Sequence, residues 1–200
     1  MTDIIPTRGA ALDLTEEMRF LQTGFEFLDE KRMLLASKLL DELEHLRAAR
    51  RAYDEAMAAA VAALKAAIAR HGVESLALYP TGEGALSGLD IITRNFLGLD
   101  LLESPLTRWT PPGPVETLDA SEAAEACRTA FALLVPPAVR LAVCSTNIRR
   151  LIREYRATER RSRALENVML PETAAKLAWI NEFLTEIDQE ESLRIRNARR

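Results

Sequence analysis

Between Leu12 and His71 the chain has no proline and a single glycine, Gly24. Within that stretch apolar residues fall at Leu14, Met18, Leu21, Phe25 and Leu28, then at Leu35, Leu39, Leu43 and Leu46. They resume at Tyr53, Met57, Val61, Leu64 and Ile68. Steps that alternate between three and four place side chains along one side of a helix, the seam of a coiled coil. The steps from Leu39 to Leu43 to Leu46 shift that frame, as a stutter does. Asp13 or Thr15 is suited to cap the start, Glu16 and Glu17 suit a first turn, and His71-Gly72 is a stop signal. Such a helix would run about 90 Å at about 1.5 Å per residue. It cannot bury its stripe on itself, so it needs a partner of similar length.

The other end of the chain supplies one. From about Val139 to Ala198 a second stripe includes Leu141, Ile148, Ile152 and Tyr155, then Leu165, Met169, Leu177, Ile180, Leu184 and Ile187. Pro171 interrupts it and is expected to bend or loosen the helix. The middle differs in kind. Gly72, Gly82, Gly84, Gly88, Gly98 and Gly113 are six of the eight glycines, and Pro80, Pro105, Pro111, Pro112 and Pro114 five of the nine prolines. Leu89–Thr93 and Leu97–Leu102 read as short strands separated by Arg94-Asn95-Phe96. Trp109–Pro114 reads as loop, and a shorter helix follows from Asp119 to about Leu134, broken by Pro136-Pro137. The expected fold is all-α. A long antiparallel two-helix coiled coil joins residues 1–71 and 138–200, and residues 72–137 form a small, irregular, partly β middle segment with a shorter helix.

Composition narrows the function. Hydrophobic residues make up 48% and aromatics only 6%, which favours helix over a sandwich or barrel. A net charge of −4 gives no case for nucleic acid binding. Cys127 and Cys144 have no ligand spacing around them and read as small helix residues in a reducing compartment. No apolar run approaches the ~20 residues that cross a bilayer. Met1–Pro6 lacks the basic and apolar regions of a signal peptide. The expectation is a cytoplasmic protein without direct membrane insertion.

Enzyme signatures are also missing. The loop Pro80–Gly88 is glycine-rich but lacks the Gly-Lys-Ser/Thr ending of a phosphate loop. His45, beside Glu42 and Glu44, reads as solvated surface, and His71 as a helix-end residue. Ser145 and Cys144 have no positioned base. No catalytic residue, metal ligand or cofactor is expected. One stretch is less bland. Arg149, Arg150, Arg153, Arg156, Arg160, Arg161 and Arg163 stand against Glu154 and Glu159, and no large apolar residue lies between Tyr155 and Leu165. Two readings stay open. One is pairing within the helix and with the acidic first helix; the other is an Arg collar on an acidic protein surface.

Four patches resemble the D subunit of the V-type (archaeal A-type) rotary ATPases. Ile5-Pro6-Thr7-Arg8 is similar to that family's Pro-Thr-Arg lead-in, and Gly24–Arg32 to its Gly-x-x-x-Leu-x-x-Lys-Arg stretch. Asn95-Phe96-Leu97-Gly98-Leu99 resembles its Asn-x-x-Gly-Val segment. Arg160–Pro171 resembles its Arg-Arg-x-Asn-Ala-Leu-Glu-x-x-x-Ile-Pro motif, with Arg163 in place of the Asn. The resemblance implies a non-catalytic central-stalk axle whose terminal helices enter the ring of A and B subunits. Its middle would lie toward the membrane, near the F subunit and the socket subunit. Arg8, Arg160, Arg161 and Arg163 are then expected ring contacts, and Asn95, Phe96 and Gly98 expected contacts with the membrane-side stalk. The alternative is a free-standing helical-hairpin adaptor outside any ATPase.

Overall fold

A computed structural model describes residues 5–77, 79, 90–106, 109–111, 113 and 121–198. The loop Pro80–Gly88, Leu89, Pro112, Pro114 and the expected helix start at Asp119 lie outside the described residues. Helix α1 spans Arg8–Ala77, with Gly72 out of helical geometry at φ 73°. Strands β1 (Ile92–Phe96) and β2 (Leu99–Glu103) form an antiparallel hairpin. Helices α2 (Glu122–Leu133) and α3 (Val135–Ala164) follow, then a π turn (Leu165–Met169) and α4 (Leu170–Ala198). The chain divides into two compact units, Met1–Leu35 with Tyr155–Arg200, and Ala36–Glu154.

In the first unit the N- and C-terminal helices run antiparallel. Arg8 meets Asp188 at one level, and Gly24 faces Leu165 at another. The seam on α1 is Leu14, Leu21, half-buried Leu28 and Leu35, each seven residues from the last. On the opposing segment it is Thr158, Ser162, Thr173 and Ile180. Complete burial of Leu35 and Ile180 contributes about 1.5–3 kcal/mol each. The gap between Tyr155 and Leu165 is thus no break in the seam. Thr158 and Ser162 fill it with small polar side chains, and the Thr158 hydroxyl is buried without a hydrogen-bond partner among the described residues.

Pro171 is accommodated by the π turn. A proline lacks the N–H of the α ladder, and its ring collides with the carbonyl four residues back. Here the Leu170 N–H reaches the Leu165 carbonyl, five residues back, which widens the turn just before the proline. The extra residue also rotates Met169 off the seam, leaving it 42% exposed, and Ile187 is 44% exposed. Both were expected on the stripe.

Gly24 needs no special backbone geometry. A Cβ there would sit 3.8 Å from Leu165 Cδ1, an ordinary contact. Glycine inside a helix costs about 1 kcal/mol relative to alanine. Gly24→Ala is therefore expected to raise stability by about 0.5–1 kcal/mol, read as a higher urea midpoint at unchanged slope.

In the second unit the buried line on α1 continues through Glu42 and Ala49, then steps eleven residues to Ala60 and seven to Ala67. The frame shift falls there, not at Leu39–Leu46, which are half-buried flanks. Alanine, rather than the larger residues expected, occupies the innermost line, and Val61 is exposed. Helix α2 buries Ala124, Cys127 and Ala132. Pro136 and Pro137 begin α3 instead of preceding it, because first-turn N–H groups have no helical partner to lose. The sequence expectation on membrane-length segments also needs amending. Arg8–Ala77 and the helical run Glu122–Ala198 each contain an 18-residue window, of mean hydropathy 1.3 and 1.5, that is long and apolar enough to cross a bilayer. Length and composition alone give this, and a core helix meets the same criterion.

Candidate protein-contact surfaces

In the first unit, Thr158 and Ser162 point into the seam, so the helical rotation turns Arg160, Arg161 and Arg163 to solvent. Arg163 Nη2 donates to Glu159 Oε1 at 2.7 Å, a pair within one helix. Arg160 and Arg161 make no hydrogen bond or ion pair among the described residues. The two readings of this stretch therefore divide by residue: Arg163 is held internally, while Arg160 and Arg161 are held by nothing described.

Arg8 is not part of that cluster. Its Nη2 donates to Asp188 Oδ1 at 3.0 Å, with both side chains mostly exposed, so the pair is worth about 0–1 kcal/mol. Gly24, at the level of Leu165, lies sixteen residues along α1 from Arg8, on the order of 24 Å. Sequence reasoning missed a different feature here. Phe20, at 78% exposed, Phe27 and Leu34 form a second line of seven-residue spacing, one position before the seam line, with Met33 also exposed. On α4, Trp179 and Phe183 stack with ring centroids 6.3 Å apart and remain exposed. The signal was present as an apolar heptad offset by one, which a two-helix seam cannot cover.

In the second unit, the hairpin turn is Leu97-Gly98, with φ 52° and 83°. The expected separator Arg94-Asn95-Phe96 is instead the end of β1. Two consecutive positive φ angles make the tight turn that matches strand twist, and Gly98 supplies one freely. Leu97 supplies the other at a steric cost, while its side chain stays 39% exposed. Asn95 holds the turn. Its Oδ1 accepts from the Gly98 N–H at 3.2 Å, and its Nδ2 donates to Asp100 Oδ1 at 3.1 Å. Asn95 and Gly98 thus shape the hairpin, and Phe96 is half-buried at its end.

The hairpin is tied to α3 through backbone. Asn147, 3% exposed, accepts from the Leu102 N–H at 2.8 Å and donates to the Leu102 carbonyl at 2.9 Å. Arg150 Nη1 donates to the Asp100 carbonyl. Beside this junction a groove of about 680 Å³ is lined by Lys38, Glu42, His45, Ser104, Cys144 and Asn147, among others. Glu42 was expected on a solvated flank. It is buried instead, 3.3 Å from Lys38 Nζ. Burial, then the charge of Glu42, pushes the Cys144 thiol above its ordinary range, which disfavours the reactive thiolate. Among the described residues no three His, Cys, Asp or Glu side chains converge as a metal site requires.

Residues 10–200 match the family model of the ATP synthase D subunit. The chain belongs to that family. The V-type ATP synthase D subunit of Thermus thermophilus is 30% identical over 202 residues, spanning 98% of this chain and 87% of the relative. That of Thermotoga neapolitana is 25% identical over 193 residues, spanning 96% and 95%. The A-type ATP synthase D subunit of Pyrococcus furiosus is 25% identical over 194 residues, spanning 96% and 91%. The resemblance seen in the sequence is thereby established over nearly the full length. The D-subunit match includes the hairpin and Arg160–Arg163; Arg8 stands just outside it.

Proposed function

We propose that this D-subunit chain is the central-stalk rotor of a V-type or A-type ATP synthase. In this reading it transmits torque between the nucleotide-binding ring of A and B subunits and the ion-translocating membrane ring. The family match over residues 10–200 carries the proposal. The seam of the first unit suits it, because paired helices with a continuous buried line resist bending and twisting as one body. A rotor must exchange contacts as it turns. Exposed Arg160 and Arg161, with no described partner of their own, are proposed to meet successive acidic surfaces of the ring, where charge gives steering and register. The hairpin of Asn95, Phe96 and Gly98 is proposed to face the membrane-side socket subunit, with the F subunit alongside. In this role the chain is non-catalytic, holds no cofactor, and works at the cytoplasmic side of a membrane complex.

The test is affinity purification of the tagged chain from its native cells. Recovery of the A, B and F subunits in fixed ratio, with ATP hydrolysis in the eluate, is expected. A chain recovered alone, from cells whose assembled ATPase is purified without it, would overturn the reading.

A further inference from the structure

The hairpin has two backbone edges, and among the described residues only one is covered. Leu102 turns its N–H and C=O to Asn147, so Thr93 and Leu102 are a pair that exchanges no ladder hydrogen bonds. The same alternation applies to Asn95 and Asp100, whose carbonyl meets Arg150. The ladder bonds therefore belong to the pairs Arg94–Leu101, Ile92–Glu103 and Phe96–Leu99. It follows that Thr93 and Asn95 direct their backbone N–H and C=O away from β2. Among the described residues nothing bonds to these backbone groups. Exposed sheet edges are ordinarily blunted by short length, charge, proline, bulges or cover, and of these β1 has its five-residue length and Arg94. β1 has no proline and pairs without a bulge, and its first residue Ile92 and the preceding Ile91 are exposed.

Resting on the rotor reading, we propose that the open edge of β1 receives an extended segment of the membrane-side socket subunit as a third strand. Main-chain bonds to Thr93 and Asn95 would hold it, as in strand addition generally. Charge sets the kind of segment. Among the described residues Arg94, with its side chain 77% exposed, reaches Glu103 across the hairpin, at 3.5 Å. An acidic residue opposite Arg94, flanked by an apolar one opposite Ile92, completes the face. The same charge disfavours a second copy of this chain. The antiparallel register pairing all five residues of β1 with another β1 sets Arg94 directly against Arg94. Leu97 extends the apolar character to the turn, at a position where asparagine would be less strained.

The test is residue-resolved amide hydrogen exchange on the isolated chain and on the purified complex. Thr93 and Asn95 amides are expected to exchange at least tenfold more slowly in the complex, while the Arg94 amide is protected in both. Thr93→Pro removes the outward N–H without touching the ladder, and is expected to weaken retention of the socket subunit at least tenfold; Thr93→Ala should not. Co-assembly with equally fast Thr93 and Asn95 exchange overturns this proposal and leaves the rotor reading standing. Protection conferred by the F subunit alone, or rising with concentration of the isolated chain, overturns the choice of partner. Failure to co-assemble at all overturns both.

Discussion

Reversing Arg160 and Arg161 together to glutamate is expected to weaken co-assembly with the A and B subunits by on the order of a hundredfold. On the rotor reading, each reversal would replace an attraction to an acidic surface with repulsion, and like-charge juxtaposition costs several kcal/mol where it is desolvated. A loss of about 1.4 kcal/mol per arginine is tenfold each, so the pair gives about a hundredfold. Helicity should not change. Both side chains are exposed, and the seam beside them rests on Thr158 and Ser162. The single change Arg163→Glu should cost less, because Glu159 already neutralises Arg163 within the helix. Raising the salt concentration should narrow the gap between wild type and double variant, since exposed charges are screened beyond about 10 Å at 0.1 M. Pull-down of the ring and the ratio of hydrolysis to ion transport read the effect. Full assembly and full coupling in the double variant would remove these arginines from the bearing.

Asn147→Leu is expected to detach the hairpin from α3 at a cost of about 2–5 kcal/mol. It deletes one donor and one acceptor at once, and leaves both backbone groups of Leu102 without partners. An unsatisfied buried backbone group costs about 1–3 kcal/mol. Leucine has the same number of side-chain heavy atoms as asparagine but is bulkier, so some overpacking adds to the loss. Asn147→Asp should not rescue the clamp: it keeps an acceptor for the Leu102 N–H, but it sets a charged carboxylate oxygen against the Leu102 carbonyl at a buried position. The Leu102 amide reports this directly by hydrogen exchange. An isolated two-stranded hairpin is only marginally stable in water, so release from α3 should loosen the β1–β2 ladder too. Unchanged protection at Leu102 would mean that burial of Leu101, not the amide clamp, seats the hairpin.

The long helices were legible because period is local. Leu14, Leu21 and Leu35 announce a seven-residue line regardless of what they pack against. What defeated the spacing was substitution of size. Thr158, Ser162, Ala49 and Ala60 occupy seam positions without being large and apolar, so the stripe read as weakened at one place and shifted at another. Phe20 and Phe27 announce the opposite lesson: they are large and apolar, but outside the pair. The hairpin was visible in its residues and misplaced in its turn, because Ile91-Ile92-Thr93 suggested a strand ending earlier, while the positive φ at Gly98 decides the register. Glu42 read as surface because its partner Lys38 does not reveal burial. Nothing local marks Asn147, since its partner Leu102 lies 45 residues away. Of the residues expected as contacts, Arg160 and Arg161 have no partner among the described residues, while Asn95 and Gly98 also shape the turn.

The change from leucine to alanine along the inner line of α1 sets opposite tolerances for substitution in the two halves of one helix. At Leu14, Leu21 and Leu35 the harmful direction is toward smaller side chains, which leave holes. At Ala49, Ala60 and Ala67 it is toward larger ones, which force the neighbouring backbone aside. A variant such as leucine for alanine, conservative by any hydrophobicity scale, is therefore benign or damaging according to position alone. Natural drift in this helix should follow the same divide, with volume capped from below at one end and from above at the other.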